Sequence, residues 1–385
     1  MKNIAIIGST GSIGRQTVNV VQRYPERFRV VALCAGGDGQ TFLEQVRALR
    51  PEYCALYDER AAEGVRAHVP QGVAFASGKA ACAAVAGYDL ADTVVVAVSG
   101  FAGLEYVLTA VQAKKDIALA NKESLVCGGE LVLSAVKEQG VHLAPVDSEH
   151  SALWQCLAFR RDAPYRRLIL TASGGPFRTL SKAELAKVTV RDALKHPTWN
   201  MGAKITIDSA TLLNKGFEVI EAQWLYNAPP EKIDTVVHPE SIVHSLVELE
   251  DGAVLAQMSY PSMELPIQLA LTYPERFPVG IRPLNLAEIG ALHFYPLDQE
   301  KFPCFALALQ SAKAGGTMPC ILNGAGEVAV QSFLRERISF TGIAEIIEEV
   351  LSAAVPQRAD SFAALVAADD WARRKAEAVI VKRSV

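Results

Sequence analysis

The sequence predicts an α/β protein in three parts, and three observations carry this prediction. Short runs of β-branched residues alternate with helical patterns over the first 150 residues, which is typical of a parallel sheet covered by helices. Further along, the turn Glu250-Asp251-Gly252 separates two strand-like runs and indicates an antiparallel hairpin in a mixed α+β region. Beyond residue 300, alanine-rich helical patterns follow one another and favour a small helical bundle.

In the amino-terminal region we predict strands at 4–7, 30–33, 54–57, 93–98, 117–119 and 142–146. Small or polar residues follow the ends of most of these strands. Because open α/β sheets bind ligands beyond the carboxyl ends of their strands, we expect several of these polar clusters to face one crevice.

The middle of the chain predicts a second set of strands at 167–171, 204–207, 235–237, 242–249 and 254–259. A helix is predicted to begin at Asp208 and to run to Leu225, because capping side chains precede an apolar helical pattern. The carboxyl-terminal helices are expected near 304–314, 319–335, 342–353 and 361–380. We therefore predict domains at 1–150, 151–275 and 301–385, with a lid loop at 186–203 and a linker at 276–300.

Composition excludes several classes of protein. The chain of 385 residues exceeds what one core usually serves, and half of its residues are apolar. A net charge of −4, without a Lys/Arg block, gives no reason to expect a nucleic-acid partner. No apolar run reaches membrane-span length and no signal layout is evident, so we predict a cytoplasmic protein. The seven scattered cysteines include no C-x-x-C pair and favour core thiols in a reducing compartment.

A glycine-rich loop follows the first predicted strand and opens a helix. Gly8, Gly11 and Gly14 have the spacing G-x-x-G-x-x-G, which allows a tight turn and close approach of backbone N–H groups to a pyrophosphate. We therefore predict a Rossmann-like dinucleotide-binding domain. The choice of nicotinamide cofactor stays open, because Asp38 favours a ribose 2′-hydroxyl whereas Arg15 could serve a 2′-phosphate.

Two carboxylates end the last predicted strand of this domain. If the backbone is extended there, Asp147 and Glu149 project from the same side and offer half of a hard-cation site. A third acid, Glu218, lies four residues after Asn214 on a predicted helix. This helix face could bind a ligand, or it could be an ordinary solvated Lys–Glu face.

Two loops of the middle region offer further candidate binding groups. Ser173, followed by two glycines, could form a phosphate-binding nest or an ordinary loop. The segment 195–202 carries basic, aromatic and thioether side chains and could close over a ligand, although a tryptophan such as Trp199 more often fills a core.

Eight segments carry distinctive motifs in order along the whole chain: 8–14, 120–126, 145–150, 173–177, 196–202, 208–216, 238–239 and 322–327. With them the chain resembles the 1-deoxy-D-xylulose 5-phosphate reductoisomerase family. The resemblance implies a homodimeric, NADPH-dependent oxidoreductase of the methylerythritol phosphate route to isoprenoids. Such an enzyme rearranges its substrate by retro-aldol cleavage and re-aldolisation, and then reduces the resulting aldehyde to 2-C-methyl-D-erythritol 4-phosphate.

The same resemblance implies the roles of individual residues. One Mg²⁺ or Mn²⁺ per subunit would be held by Asp147, Glu149 and Glu218, and Lys122, Glu149 and His196 would be the catalytic residues. The metal ligand Glu218 and catalytic Glu149 would also contact the substrate, together with Lys122, Ser148, Ser173, His196, Trp199, Met201, Ser209, Asn214 and Lys215. Within that set, Ser173, Ser209, Asn214 and Lys215 would hold the phosphate, and Trp199 and Met201 would close as a lid. The dinucleotide would be bound by Thr10, Gly11, Ser12, Ile13, Gly36, Asn121, Glu123 and Gly202.

The chain departs from its apparent family in two places. Relatives commonly carry Gly-Lys/Arg-Asn after the second strand, where this chain has Gly37 and Asp38 after Gly36. The segment 323–327 also differs from relatives, which carry alanine and asparagine there, and this change should affect helix packing only. Two alternative functions are weighed against the reductoisomerase: a plain Rossmann dehydrogenase of the semialdehyde or homoserine kind, and a nucleotide-sensing protein that has lost its chemistry. The intact acids argue against both.

Overall fold

The computed structural model describes residues 1–158, 164–195, 198–199 and 201–383. Within these ranges the strands form a seven-stranded and a five-stranded sheet. In chain order the strands are β1 (Lys2–Ile7), β2 (Phe28–Ala35), β3 (Tyr53–Leu56), β4 (Ala74–Ser77), β5 (Thr93–Val96), β6 (Asp116–Leu119), β7 (Leu143–Pro145), β8 (Arg167–Ala172), β9 (Ile233–Val237), β10 (Val243–Glu248), β11 (Val254–Met258) and β12 (Tyr295–Pro296).

The α-helices cluster between the strands and after the last strand. They are α1 (Ser12–Arg23), α2 (Gly39–Leu49), α3 (Glu59–Arg66), α4 (Lys79–Ala86), α5 (Gly103–Gln112), α6 (Glu123–Gln139), α7 (Ser148–Cys156), α8 (Lys182–Leu185), α9 (Val190–Ala193), α10 (Ala203–Ala210), α11 (Leu213–Tyr226), α12 (Glu264–Thr272), α13 (Leu286–Ile289), α14 (Pro303–Ala314), α15 (Met318–Leu334), α16 (Phe340–Ser352) and α17 (Phe362–Arg383). A short 3₁₀ helix, Pro230–Lys232, precedes β9. None of the described helices is long and apolar enough to cross a membrane.

The first compact unit comprises Met1–Ser124, Val132–Ser151 and Ser262–Ile281 and is built on the parallel sheet. Its strand order is β4-β3-β2-β1-β5-β6-β7. The strands after β1 are therefore added toward one edge of the sheet up to β4, and those from β5 onward toward the other edge, so the strand order reverses between β1 and β5. The central strands are apolar along their length because helices bury both faces, and Ile4, Ile6 and Val95 have no exposed surface. The point of reversal is where such sheets bind ligands, and the glycine loop follows β1 there.

The second compact unit comprises Leu125–Leu131, Ala152–Pro261 and Arg282–Val385. Its sheet has the order β11-β10-β8-β9-β12, in which β8 and β9 are parallel and the other neighbours are antiparallel. The predicted hairpin is confirmed between β10 and β11, and Gly252 supplies the left-handed backbone of the turn at φ +86°. The four long helices at the carboxyl terminus share one apolar core with α10 and α11.

The strand predicted at 204–207 is wrong, because this segment lies in helix α10. Its alternating β-branched residues resemble a strand, but the polar side chains of this segment find their hydrogen-bond and ion-pair partners within the helix. Thr206 donates its hydroxyl to the carbonyl of Gly202 at 2.9 Å, and Lys204 pairs with Asp208 one turn later at 2.9 Å. Strands β4 and β12 were not predicted, and both are short edge strands.

The helix start predicted at Asp208 is also wrong. Asp208 and Ser209 lie in the last turn of α10, and the chain then breaks at Leu212, which adopts a left-handed conformation with φ +58°. Helix α11 begins only at Leu213, where the backbone N–H donates to the Thr211 hydroxyl at 3.4 Å. Ser209 therefore does not sit at a helix amino terminus.

Helix α12 packs with the first unit although it follows the hairpin of the second in sequence. Lys2 donates to the carbonyl of Leu271 at 3.0 Å, and Arg23 pairs with Glu264 at 2.7 Å. The apolar side chain of Ile267 joins the core of the parallel sheet. The compact unit thus extends to residue 281, while the domain boundaries given above stay a prediction about functional domains.

A network of partly buried charges joins α15 to α17 in the second unit. Arg373 donates to Asp369 at 2.6 Å and to Glu327 at 2.7 Å, and Glu327 also accepts from Asn323 at 3.0 Å. Burial raises the pKa of the Asp369 carboxyl even beside this guanidinium. The arginine therefore neutralises two carboxylates that would be costly to leave unpaired.

We expect Arg373→Met to lower the free energy of unfolding by about 2 kcal/mol at pH 8, since it leaves these carboxylates without their cation at a partly exposed site. The loss should shrink toward pH 5, because Asp369, whose pKa burial raises in the folded state, takes up a proton as the pH falls and then no longer repels Glu327. Urea unfolding at both pH values measures this, with exposed Arg374→Met as the control. A loss that grows toward pH 5 contradicts the account.

Candidate functional site

The glycine loop of the first unit is shaped by close backbone contacts. A Cβ on Gly14 would lie 2.1 Å from the carbonyl oxygen of Gly8, and Gly8 has φ +86° with its own Cβ position 2.8 Å from the Ala97 carbonyl oxygen. The N–H groups of Gly8 and Ser9 both donate to the Cys34 carbonyl at 2.9 Å. The loop is therefore a rigid turn that only glycine permits at these two positions.

Four predicted dinucleotide ligands lie in this turn or at the start of α1: Thr10, Gly11, Ser12 and Ile13. Gly11 is the residue before the helix and has no capping side chain, so the first helical N–H groups carry the positive end of the helix dipole. Such a cradle fits a pyrophosphate. Gly36, directly after β2, has no atom of the described residues within 4 Å of a would-be Cβ, so its surroundings leave room for a ligand.

Asn121 and Glu123 lie at the start of α6 and are buried. The Asn121 amide donates to the carbonyls of Val98 and Gly100 at 3.0 Å and to the Glu123 carboxylate at 2.9 Å. Its own oxygen accepts from the Ser124 N–H at 3.0 Å. Asn121 thus ties the loop after β5 to α6, a supporting contact that the sequence motif did not reveal.

The first pair of predicted metal ligands lies beyond the carboxyl end of β7. Asp147 precedes α7, and Glu149 is in its first turn, so the expected extended backbone is wrong: Ser148 already begins the helix. The helix nevertheless holds the carboxylate oxygens of Asp147 and Glu149 within 4.8 Å of one another. The Glu149 N–H donates to Asp147 at 3.3 Å, and the Ser148 hydroxyl donates to Glu149 at 2.5 Å.

Lys122 and His150 control the charge of Asp147. Lys122 Nζ lies 2.8 Å from Asp147 Oδ2, and His150 Nδ1 lies 3.5 Å from Asp147 Oδ1. Burial opposes ionisation, but the lysine and the histidine outweigh it and hold the pKa of Asp147 well below its ordinary value. Asp147 is therefore a carboxylate at neutral pH. His150 was not among the predicted site residues, although it ends the motif that contains Asp147.

The second unit buries the other predicted acid. Glu218 on α11 is 1% exposed, and both Lys215 and Asn214 donate to its carboxylate. Lys215 is also buried, which excludes the solvated Lys–Glu face considered above. A second acid, Glu221, is buried one turn further along the same helix. Its three-residue spacing from Glu218 was the available sequence signal.

Two predicted phosphate-binding segments meet within the second unit. Gly174 and Gly175 both have left-handed backbone, and the Gly175 N–H donates to the Ser173 hydroxyl at 3.2 Å. A Cβ on Gly175 would lie 3.0 Å from the Ser209 carbonyl oxygen, so the glycine allows the loop to reach the end of α10. The structure therefore brings the loop that contains Ser173 next to the end of α10 that contains Ser209.

The predicted lid is described only in part. His196 lies outside the described residues, whereas Trp199 and Met201 are half-buried. The Trp199 ring lies 6.3 Å from that of His244, and the Thr198 hydroxyl is 3.5 Å from that of Ser241. Gly202 precedes α10, and its carbonyl accepts from Thr206.

Three cysteines, Cys54, Cys156 and Cys304, have thiol pKa values that burial raises. Burial raises the pKa of Cys54 and Cys304 to about 12 and that of Cys156 to about 11. Such thiols stay protonated at neutral pH, so none of these three is suited to act as a nucleophile. The available chemistry is instead carboxylate and ammonium, and oxygen ligands of this kind suit Mg²⁺ or Mn²⁺.

Comparison with known proteins gives a consistent result over most of the chain. Three family models match: 1-deoxy-D-xylulose 5-phosphate reductoisomerase at residues 4–129, its C-terminal domain at 143–226, and a DXP reductoisomerase C-terminal domain at 258–375. A curated 1-deoxy-D-xylulose 5-phosphate reductoisomerase of Anaeromyxobacter sp. (strain K) is 50% identical over 377 residues, which cover 98% of this chain and 97% of the relative. The corresponding protein of Pelotomaculum thermopropionicum is 48% identical and is covered to 99%, as is this chain.

Solved structures of reductoisomerases are also similar to this chain. The reductoisomerase of Zymomonas mobilis in complex with NADPH superposes with a TM-score of 0.92 at 39% identity, covering 98% of this chain and 99% of the other. A DOX-P reductoisomerase in complex with NADPH, fosmidomycin and magnesium has the same TM-score at 37% identity, covering 99% of this chain and 98% of the other.

Proposed function

The chain belongs to the 1-deoxy-D-xylulose 5-phosphate reductoisomerase family, and on this premise we propose that it converts 1-deoxy-D-xylulose 5-phosphate into 2-C-methyl-D-erythritol 4-phosphate with NADPH as hydride donor. The resemblance predicted from the motifs and the α/β fold class are thereby confirmed.

The observation that carries the proposal lies within the first unit. A metal-type acid pair follows β7 on the same parallel sheet whose strand β1 precedes the glycine loop. A plain Rossmann dehydrogenase has no need of such a pair.

Asp147, Glu149 and Glu218 are the proposed ligands of one divalent cation. Their support is chemical: all three are carboxylates, and two relatives of known structure contain magnesium. A cation held there supplies Lewis acidity toward the substrate ketone and its neighbouring hydroxyl. Lys122 keeps Asp147 ionised, and we propose that it donates to substrate hydroxyl oxygens together with Ser148.

The proposed phosphate site combines Ser173, Ser209, Asn214 and Lys215. All four lie in the second unit, where the Ser173 loop already contacts the end of α10. The helix carrying Asn214 and Lys215 begins three residues beyond that end. Buried lysine and backbone N–H groups then fix the dianionic end of the substrate, which holds the reacting carbons in one place during cleavage and re-formation of the carbon–carbon bond.

The dinucleotide is proposed to bind along Thr10, Gly11, Ser12, Ile13 and Gly36, with Asn121, Glu123 and Gly202 as further contacts. Trp199 and Met201, with His196, would close over the substrate and exclude water while the enolate fragment exists. The homodimer and the cytoplasmic location expected above complete the proposal.

The test is oxidation of NADPH on addition of 1-deoxy-D-xylulose 5-phosphate, followed by absorbance at 340 nm with Mg²⁺, with Mn²⁺ and with excess chelator. We expect metal-dependent oxidation and a branched polyol phosphate as product, identified by NMR. Oxidation that persists unchanged in chelator, or an unbranched product, would instead support the plain dehydrogenase.

A further inference from the structure

One ion pair of the first unit lies where an adenosine ribose is expected, and its two residues are those that leave the choice of nicotinamide cofactor open in the sequence. Arg15 on α1 and Asp38 before α2 pair at 3.0 Å, three residues after the end of β2. Resting on the proposed function, we propose that this pair sets the recognition of the dinucleotide 2′-group, and that Asp38 makes the enzyme accept NADH nearly as well as NADPH.

The pair is held in place by four contacts. Asp38 Oδ1 accepts from the Thr41 N–H at 3.1 Å and so caps α2, while Oδ2 accepts from Arg15 Nη2. Nη2 also donates to the Thr41 hydroxyl at 3.3 Å, and Arg15 Nε donates to the Thr10 carbonyl at 2.8 Å. One guanidinium therefore connects the glycine loop to the loop after β2. Its remaining nitrogen, Nη1, makes no hydrogen bond to any residue in the described ranges.

Two carboxylates lie at or beside the loop after β2. Hydrogen bonds from Thr41 lower the pKa of Asp38, so its carboxylate is ionised at neutral pH. A second acid, Asp58, caps α3, and its Cβ lies 3.5 Å from the Cβ position of Gly37. A 2′-phosphate entering this loop would meet two carboxylates and one arginine that is already paired.

Each of the two cofactors would meet one favourable group at its 2′-position. In dinucleotide-binding folds an acid after the second strand accepts a hydrogen bond from the ribose 2′-hydroxyl, and a nearby arginine accommodates a 2′-phosphate. Here Asp38 can serve NADH. Arg15 can serve NADPH through Nη1, but Asp38 repels the phosphate and competes for the guanidinium. We therefore expect the dissociation constants of NADPH and NADH to differ by no more than about tenfold.

The experiment is a measurement of both dissociation constants by calorimetry on the full chain without substrate. Asp38→Asn keeps the cap, because asparagine is an equally good capping residue, and removes only the charge. We expect this variant to bind NADPH about tenfold more tightly and NADH several-fold more weakly. Arg15→Gln should weaken NADPH by about tenfold and leave NADH within about threefold. Arg47→Gln, an exposed arginine further along α2, is the control for net charge.

The outcomes separate this inference from the proposed function. If Asp38→Asn leaves the ratio of the two constants unchanged, Asp38 is a helix cap only and the inference is wrong. It is also wrong if the unsubstituted enzyme binds NADPH more than about 100-fold more tightly than NADH. If neither dinucleotide binds to the unsubstituted chain, the proposed function itself fails.

Discussion

A Glu218→Gln variant is expected to lose turnover by at least about 10³-fold while binding NADPH as tightly as the unsubstituted enzyme. Replacing a proposed anionic ligand by a neutral amide weakens cation binding and the polarisation of the ketone, which together supply several kcal/mol of transition-state stabilisation. The dinucleotide contacts proposed above involve other residues. The loss should therefore appear in the chemistry and not in cofactor binding.

The surroundings of Glu218 make glutamine a conservative probe. The side chain is almost fully buried and accepts hydrogen bonds from Asn214 and Lys215. Glutamine has the same shape and keeps one acceptor oxygen, so it retains one of these two hydrogen bonds, whereas its NH2 group replaces the oxygen that faces the other donor and should cost about 1–3 kcal/mol of stability. The exposed Glu231→Gln makes the same chemical change in the second unit at a surface position and should keep full turnover.

Three measurements on the Glu218→Gln variant distinguish the possible outcomes. Steady-state turnover with saturating Mn²⁺ reports the chemistry, electron paramagnetic resonance reports bound Mn²⁺, and calorimetry reports NADPH. Full turnover in chelating buffer, or unchanged Mn²⁺ affinity, would remove Glu218 from the metal site. Loss of NADPH binding together with turnover would point to misfolding instead.

Local signals explain how much of the fold could be predicted from the sequence. The parallel sheet, the hairpin at Gly252 and the carboxyl-terminal helices are confirmed, because β-branched runs, a glycine turn and helical periodicity each act within a few residues. Segment 204–207 shows where this fails. Its alternation predicts a strand, but the ion pair between Lys204 and Asp208 belongs to a helix. The break at Leu212 is likewise invisible in sequence, since leucine rarely adopts left-handed backbone.

The sequence predicted the residue types of the candidate site better than it predicted their geometry. Asp147 and Glu149 were chosen by assuming extended backbone, and the structure holds them close by a helix start instead. The burial of Lys215 and Glu218 could not be predicted, because the same spacing serves a solvated face. Asn121 supports the site through contacts with Val98 and Gly100 that depend on tertiary structure, whereas the contact of His150 with Asp147 is local, three residues apart.

A Gly14→Ala variant is expected to lose at least about 100-fold in NADPH affinity, because overpacking of the glycine loop displaces the N–H groups that face the pyrophosphate. The added Cβ would lie 2.1 Å from the Gly8 carbonyl oxygen and 2.6 Å from the Ser9 Cα. Neither atom can retreat easily, since the Gly8 and Ser9 N–H groups are both bonded to the Cys34 carbonyl. The first unit should also lose about 2 kcal/mol of stability from the strain.

The matched control is Gly64→Ala on helix α3, where no atom lies within 4 Å of the added Cβ. Alanine should stabilise that helix by about 0.5–1 kcal/mol and leave NADPH binding unchanged. Calorimetric titration and thermal unfolding of both variants separate steric exclusion from a general effect of adding a methyl group. The proposed metal ligands lie on other elements, so Mn²⁺ binding by Gly14→Ala should persist. If that variant binds NADPH within about threefold of the unsubstituted enzyme, the pyrophosphate does not lie on this loop.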